Sequence, residues 1–328
     1  MIRLGILGCA EIAFKRFMPA AENIADLKIV AVGEEYDRKK LEPFCREYNL
    51  EGEDSFEHLI AREDIDAVYV PQPPALHYKW TKQALENGKH VLVEKPSTIS
   101  YLLSKDLVDA AAERELALHE NYMFQYHSQI SAIKDMLSNG TIGDIRLIKA
   151  EFGFPLRTRN DFRYSKALGG GALLDAGGYT AKLATLFLGK TVKVDAAQLN
   201  YLCDFDVDMY GSASLSNSDG LVCQIGFGMD CAYQCSLEVW GSRGRLYTNR
   251  IFTAPDGYQP LIRLEMPDGV KEIILDADSH FQHSIERFLA GITDRKVRKE
   301  MYGEILLQAK LVDDIRKTGE RKNEEVFL

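Results

Sequence analysis

The first third of the chain alternates strand patterns with helix patterns, and this alternation limits the possible folds more than any other feature. Apart from Arg3, residues 3–7 are apolar in the manner of a buried strand, and small residues followed by a helix pattern come next. Strands and helices that alternate in this way form a parallel sheet covered by helices. The sequence therefore predicts a Rossmann-type domain. Its predicted strands lie at 3–7, 28–32, 67–70, 90–93 and 116–118. The first predicted helix ends at residue 21, and the other four lie at 38–47, 56–61, 76–87 and 101–114.

The turn after the first predicted strand is built from small residues. Gly8, Ala10 and Ala13 stand at the small positions of the pattern G-x-G-x-x-G, with alanine in place of the second and third glycines. Small side chains there let backbone N–H groups reach the pyrophosphate of a dinucleotide at the start of a helix. The match is degenerate, but it follows a strand and opens a helix, so we predict dinucleotide binding. Cys9 and Ile12 are predicted to contact the cofactor with these three residues.

The second predicted strand ends near Glu34 and Glu35, where dinucleotide-binding domains place the acidic residue that binds the adenosine ribose. A carboxylate repels the 2′-phosphate of NADP, so the sequence favours NAD as the cofactor, with NADP as the alternative. In that alternative both glutamates are solvated, and Arg38 or Lys39 binds the phosphate.

Glu94, Lys95 and Pro96 directly follow the predicted strand at 90–93. A lysine at the carboxyl end of a parallel strand points into the crevice where such sheets bind ligands. Proline restricts the conformation of the residue before it, so the amine of Lys95 is held in a defined direction. The tripeptide also occurs in ordinary surface turns, but here the strand and the nucleotide signature favour a functional site.

Composition and charge restrict the class of protein. The chain has 328 residues, of which 46% are hydrophobic and 27% charged, enough for two cores. Its net charge of -9 disfavours nucleic acid and anionic membranes as partners. No apolar run approaches the length of a membrane span and no signal-peptide pattern is found, so we expect a cytoplasmic protein. The six cysteines lack paired spacing, which predicts reduced thiols and no metal site.

Beyond residue 122 the pattern changes to strands joined by short turns such as 217–220 and 267–269. We therefore predict a Rossmann dinucleotide-binding domain over 1–120 and an α+β domain for substrate binding and oligomerisation over 121–328. The second domain should hold a large, mostly antiparallel sheet. Its predicted strands lie at 145–152, 192–201, 210–216, 220–229, 234–240, 245–249, 262–265 and 270–275, and a helix pattern lies at 129–138.

A helical segment at 171–188 can cover one face of this sheet. The other face is predicted to contact a partner subunit, because alternating apolar residues at Val222, Ile225 and Phe227 need cover. A homodimer or homotetramer is therefore expected.

The segment at 169–180 combines glycines with polar side chains. Asp175 and Tyr179 are four residues apart and so share one face of a helix. Glycines weaken a helix by about 1 kcal/mol each relative to alanine, unless a ligand or a neighbouring strand approaches closely. A functional site is the simplest reason for them, and tight packing against the Rossmann domain is the alternative.

Together these features resemble the glucose–fructose oxidoreductase, inositol dehydrogenase and rhizopine-catabolism group of pyridine-nucleotide enzymes. The resemblance covers essentially the full length and is carried by the small-residue turn, by Glu94, Lys95 and Pro96, and by the glycine-rich segment before Tyr179. Within the group, the chain is similar above all to bacterial sugar-nucleotide C-3 ketoreductases of deoxysugar biosynthesis. The segments that carry this likeness are 69–73, 120–124, 163–164, 172–175 and 249–253.

The resemblance implies that Lys95 is the catalytic lysine and that Tyr179 stands where many relatives have a histidine. A tyrosine there matches the ketoreductase branch, so reduction of a sugar ketone is preferred to oxidation of inositol. Those ketoreductases carry arginines where this chain has Glu34 and Glu35. At these two positions the chain therefore departs from the ketoreductase pattern, and the choice of cofactor does not follow from the resemblance. The other cofactor contacts predicted with it are Arg38, Pro71, Gln72, Pro73, His77, Glu94, Lys95, Asn121 and Arg163.

A ketone that accepts hydride develops negative charge on its oxygen, so an acid about 3 Å away must supply a proton. Lys95 and Tyr179 both carry donors, and a nearby lysine lowers the pKa of a tyrosine. Either residue can donate while the other orients the oxygen, and the resemblance favours Lys95. Asp175 is expected to position or polarise this pair, with compensation of the helix dipole as the alternative.

Two other functions stay open. One is a dehydrogenase of a free sugar or polyol. The other is a dinucleotide-binding regulator without turnover, which would be expected to lack the lysine or its acid partner, and both are present here.

Overall fold

Two compact units make up the chain in the computed structural model, which describes residues 1–325 and the side chains of residues 1–320. The first unit combines 1–122 with 281–309, and the second combines 123–280 with the described residues that begin at Lys310. Backbone contacts thus join 281–309 to the N-terminal unit, although these residues follow the second unit in sequence. The domain division at residue 120 stays a prediction.

A six-stranded parallel sheet forms the middle of the first unit. Its strands are β1 (Ile2–Leu7), β2 (Leu27–Gly33), β3 (Glu51–Glu53), β4 (Ala67–Val70), β5 (His90–Glu94) and β6 (Leu118–Asn121). Their order in the sheet is β3-β2-β1-β4-β5-β6, so the direction of strand addition reverses between β1 and β4. Sheets of this order bind ligands beyond the carboxyl ends of the strands at the reversal. The predicted Rossmann-type fold is confirmed.

Helices pack against this sheet because its central strands are apolar along their length. All four residues of β4 are buried, and Val68, Val70 and Val93 share one core with Trp80. Side-chain oxygens begin two of the helices, since Ser55 accepts from the backbone of His58 and Ser100 from that of Leu103. The helices of this region are α1 (Met18–Ala21), α2 (Leu41–Tyr48), α3 (Phe56–Ala61), α4 (Pro74–Glu86) and α5 (Tyr101–Glu113).

An eight-stranded sheet forms the second unit. Its strands are β7 (Ile145–Gly153), β8 (Lys193–Tyr201), β9 (Asp208–Ser216), β10 (Val222–Gly228), β11 (Gln234–Gly241), β12 (Arg245–Asn249), β13 (Leu261–Met266) and β14 (Gly269–Ile274). Their order is β14-β13-β12-β11-β7-β10-β9-β8. Only β7 and β10 pair in parallel among these described strands, so the predicted, mostly antiparallel sheet is confirmed.

Helices α6 (Ser128–Ser138) and α7 (Gly178–Leu188) belong to this second unit, and a π-helical turn at Leu173–Gly177 leads into α7. A Cβ atom added at Gly177 would lie 3.1 Å from the ring of Phe227, which shows how closely this helical segment packs on β10. Phe227 is buried, and its cover comes from the helix of its own unit. The expectation that it needs a partner subunit is therefore wrong.

The last two helices are α8 (His280–Thr293) and α9 (Arg295–Glu325). Tyr302 and Ile305, in the first half of α9, pack into the core of the first unit. The hydroxyl of Tyr302 also donates to the carbonyl of Leu116. These contacts explain why the chain returns to the N-terminal unit. Among the residues that the structure describes, no helix combines the length and the apolar character that crossing a membrane requires.

Candidate active site

The turn after β1 has no room for a side chain at Gly8. Its φ of +119° favours glycine, and an added Cβ would collide with the side-chain amide of Gln72. The backbone N–H of Gly8 donates to the carbonyl of Gly33 at 2.9 Å, and the amide of Gln72 donates to that of Leu7. The turn is thus held by the carboxyl ends of β1, β2 and β4.

Glu34 follows β2 and points its carboxylate toward this turn. Oε2 accepts from the backbone of Cys9 at 2.8 Å, and Oε1 accepts from the backbones of Tyr36 at 2.9 Å and Asp37 at 3.0 Å. The residue is only 5% exposed. A carboxylate has about four lone-pair sites, so three backbone donors leave one, on Oε2, for a ribose hydroxyl.

The two alternative phosphate contacts lie on an exposed turn, Arg38–Lys40. The guanidinium of Arg38 is 3.6 Å from Asp54, and its side chain is 68% exposed. Arg38 therefore lies near the end of β2 with a long, exposed side chain. The carboxylate of Glu34, in contrast, is held by hydrogen bonds from three backbone N–H groups.

His77 connects the loops that follow β4 and β5. Its Nδ1 lies 2.7 Å from the carbonyl of Pro96, and its Nε2 lies 2.5 Å from that of Gln72. Burial lowers the pKa of His77 to about 4, although both carbonyls act in the opposite direction. A neutral ring has one N–H, so it can donate to only one of these two carbonyls at a time, and its other nitrogen lies against the second carbonyl. The ring thus contacts both the segment Pro71–Gln72–Pro73 and the segment that carries Lys95.

Lys95 follows β5 at the carboxyl edge of the sheet, and its peptide bond to Pro96 is cis. The carboxylate of the preceding Glu94 accepts two hydrogen bonds on Oε1, from the hydroxyl of Tyr69 at 2.7 Å and from Asn121 Nδ2 at 2.6 Å. Burial raises the pKa of Glu94, while both donors and the charge of Lys95 oppose the rise. The lysine therefore stands beside an acidic group that is held in a fixed orientation.

Further hydrogen bonds connect Asn121 to helix α8. Its Oδ1 accepts from Ser284 Oγ at 2.7 Å, and the oxygen of Ser284 lies 2.9 Å from Nε2 of His119. Because the serine hydrogen goes to Asn121, Nε2 of His119 must carry the proton it donates. Sequence reasoning did not find Tyr69, His119 or Ser284 as members of this network. Ser284 is 163 positions from Asn121, and no local pattern indicates the pairing.

In the second unit, Tyr179 lies within a group of aromatic rings that we call the aromatic cluster. Its members are Tyr179, Phe124, Phe152 and Phe252, and the ring of Tyr179 lies 5.1 to 5.9 Å from the other three. The tyrosine is 7% exposed, and its hydroxyl is 3.8 Å from the sulfur of Met123, a weak acceptor. Packing from several strands and turns thus sets the position of this hydroxyl.

Asp175 and Arg163, both predicted site residues, form an ion pair. Nε of Arg163 donates to Asp175 at 2.7 Å, and its NH1 donates to Asp161 at 3.1 Å. The carboxylate of Asp175 is thus fixed by a cation on a preceding turn. The structure brings Asp175 and Arg163 together, and it surrounds Tyr179 with aromatic rings.

The glycines before this segment are explained by close packing within the second unit. A Cβ at Gly170 would collide with the carbonyl of Arg163, and one at Gly171 with the carboxylate of Asp208. Gly171 also has φ +119°. Asp208 in turn accepts from the backbone of Leu173 at 2.7 Å, at the start of the π-helical turn. These glycines permit the approach of protein groups, so they are not by themselves a sign of a ligand.

Two family descriptions match the chain. Residues 2–122 match the GFO/IDH/MocA oxidoreductase family with its NAD-binding Rossmann fold, and residues 130–247 match the GFO/IDH/MocA C-terminal domain. The chain belongs to the Gfo/Idh/MocA family. The resemblance that the sequence motifs carry is thereby confirmed, and this Gfo/Idh/MocA protein is an NAD(P)-dependent oxidoreductase.

Curated relatives of this Gfo/Idh/MocA protein include sugar-nucleotide reductases. The dTDP-3,4-didehydro-2,6-dideoxy-alpha-D-glucose 3-reductase of Actinomadura kijaniata is 40% identical, over 98% of this chain and 96% of its own. The enzyme of the same name from Saccharopolyspora spinosa is 38% identical, over 96% of both chains. A crystal structure of a 3-ketoreductase from Actinomadura kijaniata with NADP and TDP-benzene superposes with a TM-score of 0.93, at 39% identity over 97% of both chains.

Proposed function

We propose that this protein reduces the C-3 ketone of a deoxyhexose linked to a nucleoside diphosphate, with hydride from a nicotinamide dinucleotide. The observation that carries the proposal is the full-length similarity to 3-ketoreductases, including one solved with NADP and TDP-benzene. The arrangement of groups agrees with such a reaction. A lysine stands at the carboxyl edge of the dinucleotide-binding sheet, and a buried tyrosine hydroxyl is oriented in the second unit.

In the proposed reaction, Lys95 and Tyr179 serve the oxygen of the substrate ketone. Hydride adds to carbon, the oxygen takes a proton, and the dinucleotide leaves oxidised, so the step is balanced without a further reactant. Lys95 donates the proton and the hydroxyl of Tyr179 orients the oxygen. Related solved structures include variants with a single lysine or a single tyrosine replaced, which are the residue types that the proposal uses.

Asp175 has a supporting role in this proposal. Its carboxylate is held by Arg163 at 2.7 Å, one helical turn before Tyr179. We propose that the pair fixes the backbone of the π-helical turn and so the direction of the tyrosine.

We propose NAD as the preferred cofactor. Glu34 fills the position that binds the ribose, and its one remaining lone-pair site suits a hydroxyl group rather than a phosphate. The relative from Actinomadura kijaniata was solved with NADP, so the opposite preference is the competing outcome. Arg38 would then be the residue to meet the phosphate.

We also propose that the chain forms a homodimer or homotetramer through the outer face of the eight-stranded sheet. Tyr210 and Trp240 are 46% and 42% exposed there, and a groove on the same sheet is lined by Lys149, Gln198 and Gln224. Sedimentation velocity on the wild type and on Trp240→Glu tests this proposal. A multimer that dissociates in the variant supports it, and a monomeric wild type contradicts it.

The activity itself is tested with dTDP-3,4-didehydro-2,6-dideoxy-alpha-D-glucose and NADH or NADPH, with cofactor absorbance as the readout and NMR to identify the product. We expect reduction at C-3, and no oxidation of glucose, xylose or inositol with NAD. Turnover of the free sugars alone would contradict the proposal in favour of a polyol dehydrogenase. Dinucleotide binding without any turnover would identify a regulator.

A further inference from the structure

Arg157 and Arg250, both in the second unit, have no carboxylate partner among the residues that the structure describes, and each lies over an aromatic ring. The guanidinium carbon of Arg157 lies 5.2 Å from the centre of the Phe154 ring, and that of Arg250 lies 4.7 Å from the centre of the Tyr233 ring. NH1 of Arg250 also donates to the hydroxyl of Tyr233 at 3.0 Å. Most other arginines of this unit pair with aspartate or glutamate. We call Arg157 and Arg250 the arginine pair.

The absence of acidic partners is notable in a chain whose net charge is -9. Arg243 of the same unit also lacks a carboxylate partner among the described residues, but its guanidinium donates to the carbonyl of Gly140 at 2.7 Å. In Arg157 and Arg250 the guanidinium instead faces a ring. Aromatic rings hold both guanidiniums by cation–π contact, which leaves their N–H groups for another acceptor. Both arginines are therefore suited to bind an anion from solution.

The arginine pair lies at one edge of the eight-stranded sheet. Arg157 follows the end of β7, and Arg250 follows the end of β12. Strand β11 lies between β7 and β12 and is antiparallel to both. Its first residue, Gln234, pairs with Gly153, the last residue of β7. Two residues later, Ser236 pairs with Asn249, the last residue of β12. The segments that carry the two arginines thus leave the sheet at the same edge.

The same edge borders the aromatic cluster. The ring of Phe154, under the first arginine, lies 6.0 Å from that of Phe152, a member of the cluster. The hydroxyl of Tyr233, under the second arginine, lies 2.8 Å from Oγ1 of Thr253, which directly follows the cluster member Phe252. The two rings beneath the arginines are therefore linked to the aromatic cluster, Phe154 by a ring contact and Tyr233 by a hydrogen bond to the residue after Phe252.

We propose that Arg157 and Arg250 bind the diphosphate of a nucleoside-diphosphate sugar. This inference rests on the proposed function and adds to it the residues that recognise the nucleotide part of the substrate. Each guanidinium offers a planar set of donors that matches phosphate oxygens in pairs. A free sugar or polyol has no anionic group for these cations, so the arginine pair selects for a nucleotide-linked sugar.

Isothermal titration with TDP alone tests the site without turnover. Arg157→Gln and Arg250→Gln keep a polar side chain but shorten it and remove the charge, and each is expected to weaken TDP binding at least tenfold. The matched control is Arg263→Gln on β13, whose guanidinium pairs with Glu265 at 3.0 Å. It should bind TDP within twofold of the wild type. Affinity for the dinucleotide should be unchanged in all three variants.

Steady-state kinetics give a second readout. In both arginine variants we expect KM for the nucleotide-linked ketone to rise at least tenfold, with kcat within about threefold of the wild type, because the reacting groups are unchanged. Should Arg250→Gln fold poorly, Arg250→Lys replaces it, and an intermediate loss of TDP affinity is expected because the charge stays while the paired donors are lost.

Wild-type TDP affinity and KM in both variants would overturn the inference, even if the enzyme reduces the proposed substrate. Weakened TDP binding in the variants of a protein that reduces no sugar-nucleotide ketone would support the diphosphate site and contradict the proposed function. The two ideas can therefore fail separately.

Discussion

We expect the cofactor preference to depend on Glu34. We expect NADH to bind at least tenfold more tightly than NADPH, because a 2′-phosphate beside this carboxylate loses about 1.4 kcal/mol or more. Fluorescence titration with both dinucleotides measures the ratio. Arg38→Gln serves as the control and should leave NADH affinity unchanged. Equal or tighter NADPH binding that weakens in Arg38→Gln would show that the prediction is wrong and that Arg38 contacts the phosphate.

Lys95 is a predicted cofactor contact, but we expect its loss to affect turnover far more than cofactor affinity. Lys95→Met should keep dinucleotide affinity, because Gly8 and Glu34, the residues predicted to meet the pyrophosphate and the ribose, follow other strands. It should lose turnover by roughly 10² or more, the usual size of a general-acid contribution. Single-turnover oxidation of the reduced cofactor measures this. Wild-type turnover in the variant would refute the assignment.

Tyr179→Phe keeps the ring in the aromatic cluster and removes only the hydroxyl. Its loss should therefore be in turnover, with little change in thermal stability. If Lys95 and Tyr179 act on one oxygen, the double variant should be little slower than the slower single variant. Fully additive losses would mean that the two residues do not serve the same proton transfer.

At the scale of elements, β9 packs so closely at Gly211 that any side chain there is excluded. An added Cβ would lie 2.6 Å from the carbonyl of Gln198 and 2.8 Å from the ring of Phe227. Gly211→Ala is expected to reduce the free energy of unfolding by about 1–3 kcal/mol, the usual result of overpacking. The control is Gly226→Ala on β10, where the nearest atom is 3.8 Å away on Glu151. Urea unfolding should separate the two variants, and equal stabilities would contradict this prediction.

Most elements could be predicted from the sequence, and the misses have physical reasons. The helix at Phe56–Ala61 and the strand at Ala67–Val70 have the predicted bounds, because each carries a strong apolar pattern. β3 (Glu51–Glu53) was missed, since it is short and polar at the edge of its sheet. The π-helical turn at Leu173–Gly177 and the parallel pairing of β7 with β10 arise from tertiary packing, which no local pattern encodes.

The candidate site shows the same division. The small-residue turn and Lys95 could be placed because each follows a strand directly. The contacts of Glu34 with three backbone donors depend on how two loops meet, and the ion pair of Asp175 with Arg163 joins separate turns. Pairings of this kind are set by tertiary packing. The sequence can therefore indicate that a residue belongs to the site, but it does not indicate which group that residue contacts.

At the scale of the whole molecule, stability should fall as the pH is lowered from 6.5 toward 4. Burial lowers the pKa of both His77 and His90 to about 4, and the charge of Arg298 adds to the effect at His90. The unfolded chain, with histidine pKa near about 6.5, binds more protons in this range, so stability present above pH 6.5 is lost on acidification. The loss is about 3 kcal/mol for the fully buried His77 and less for the partly exposed His90.

Asp208 has the opposite effect on the pH dependence of stability. Burial raises its pKa to about 6, so the folded protein takes up its proton more readily than the unfolded chain, and this group favours folding at low pH. Asp208→Asn removes that contribution and keeps an acceptor for the backbone of Leu173. Urea unfolding at pH 7, 5.5 and 4.5 should therefore show a steeper acid loss in Asp208→Asn than in the wild type. A shallower loss in the variant would contradict the raised pKa of Asp208.

His77 lies between the carbonyls of Gln72 and Pro96, so the loops after β4 and β5 share one anchor. Neither loop can open without releasing the same ring. Their amide hydrogens should therefore exchange with solvent as one cooperative unit, and separate protection of the two loops would argue against this coupling. We expect a dinucleotide that contacts both loops to lose little binding free energy to ordering them. The conformational entropy of the loops is already lost when the chain folds.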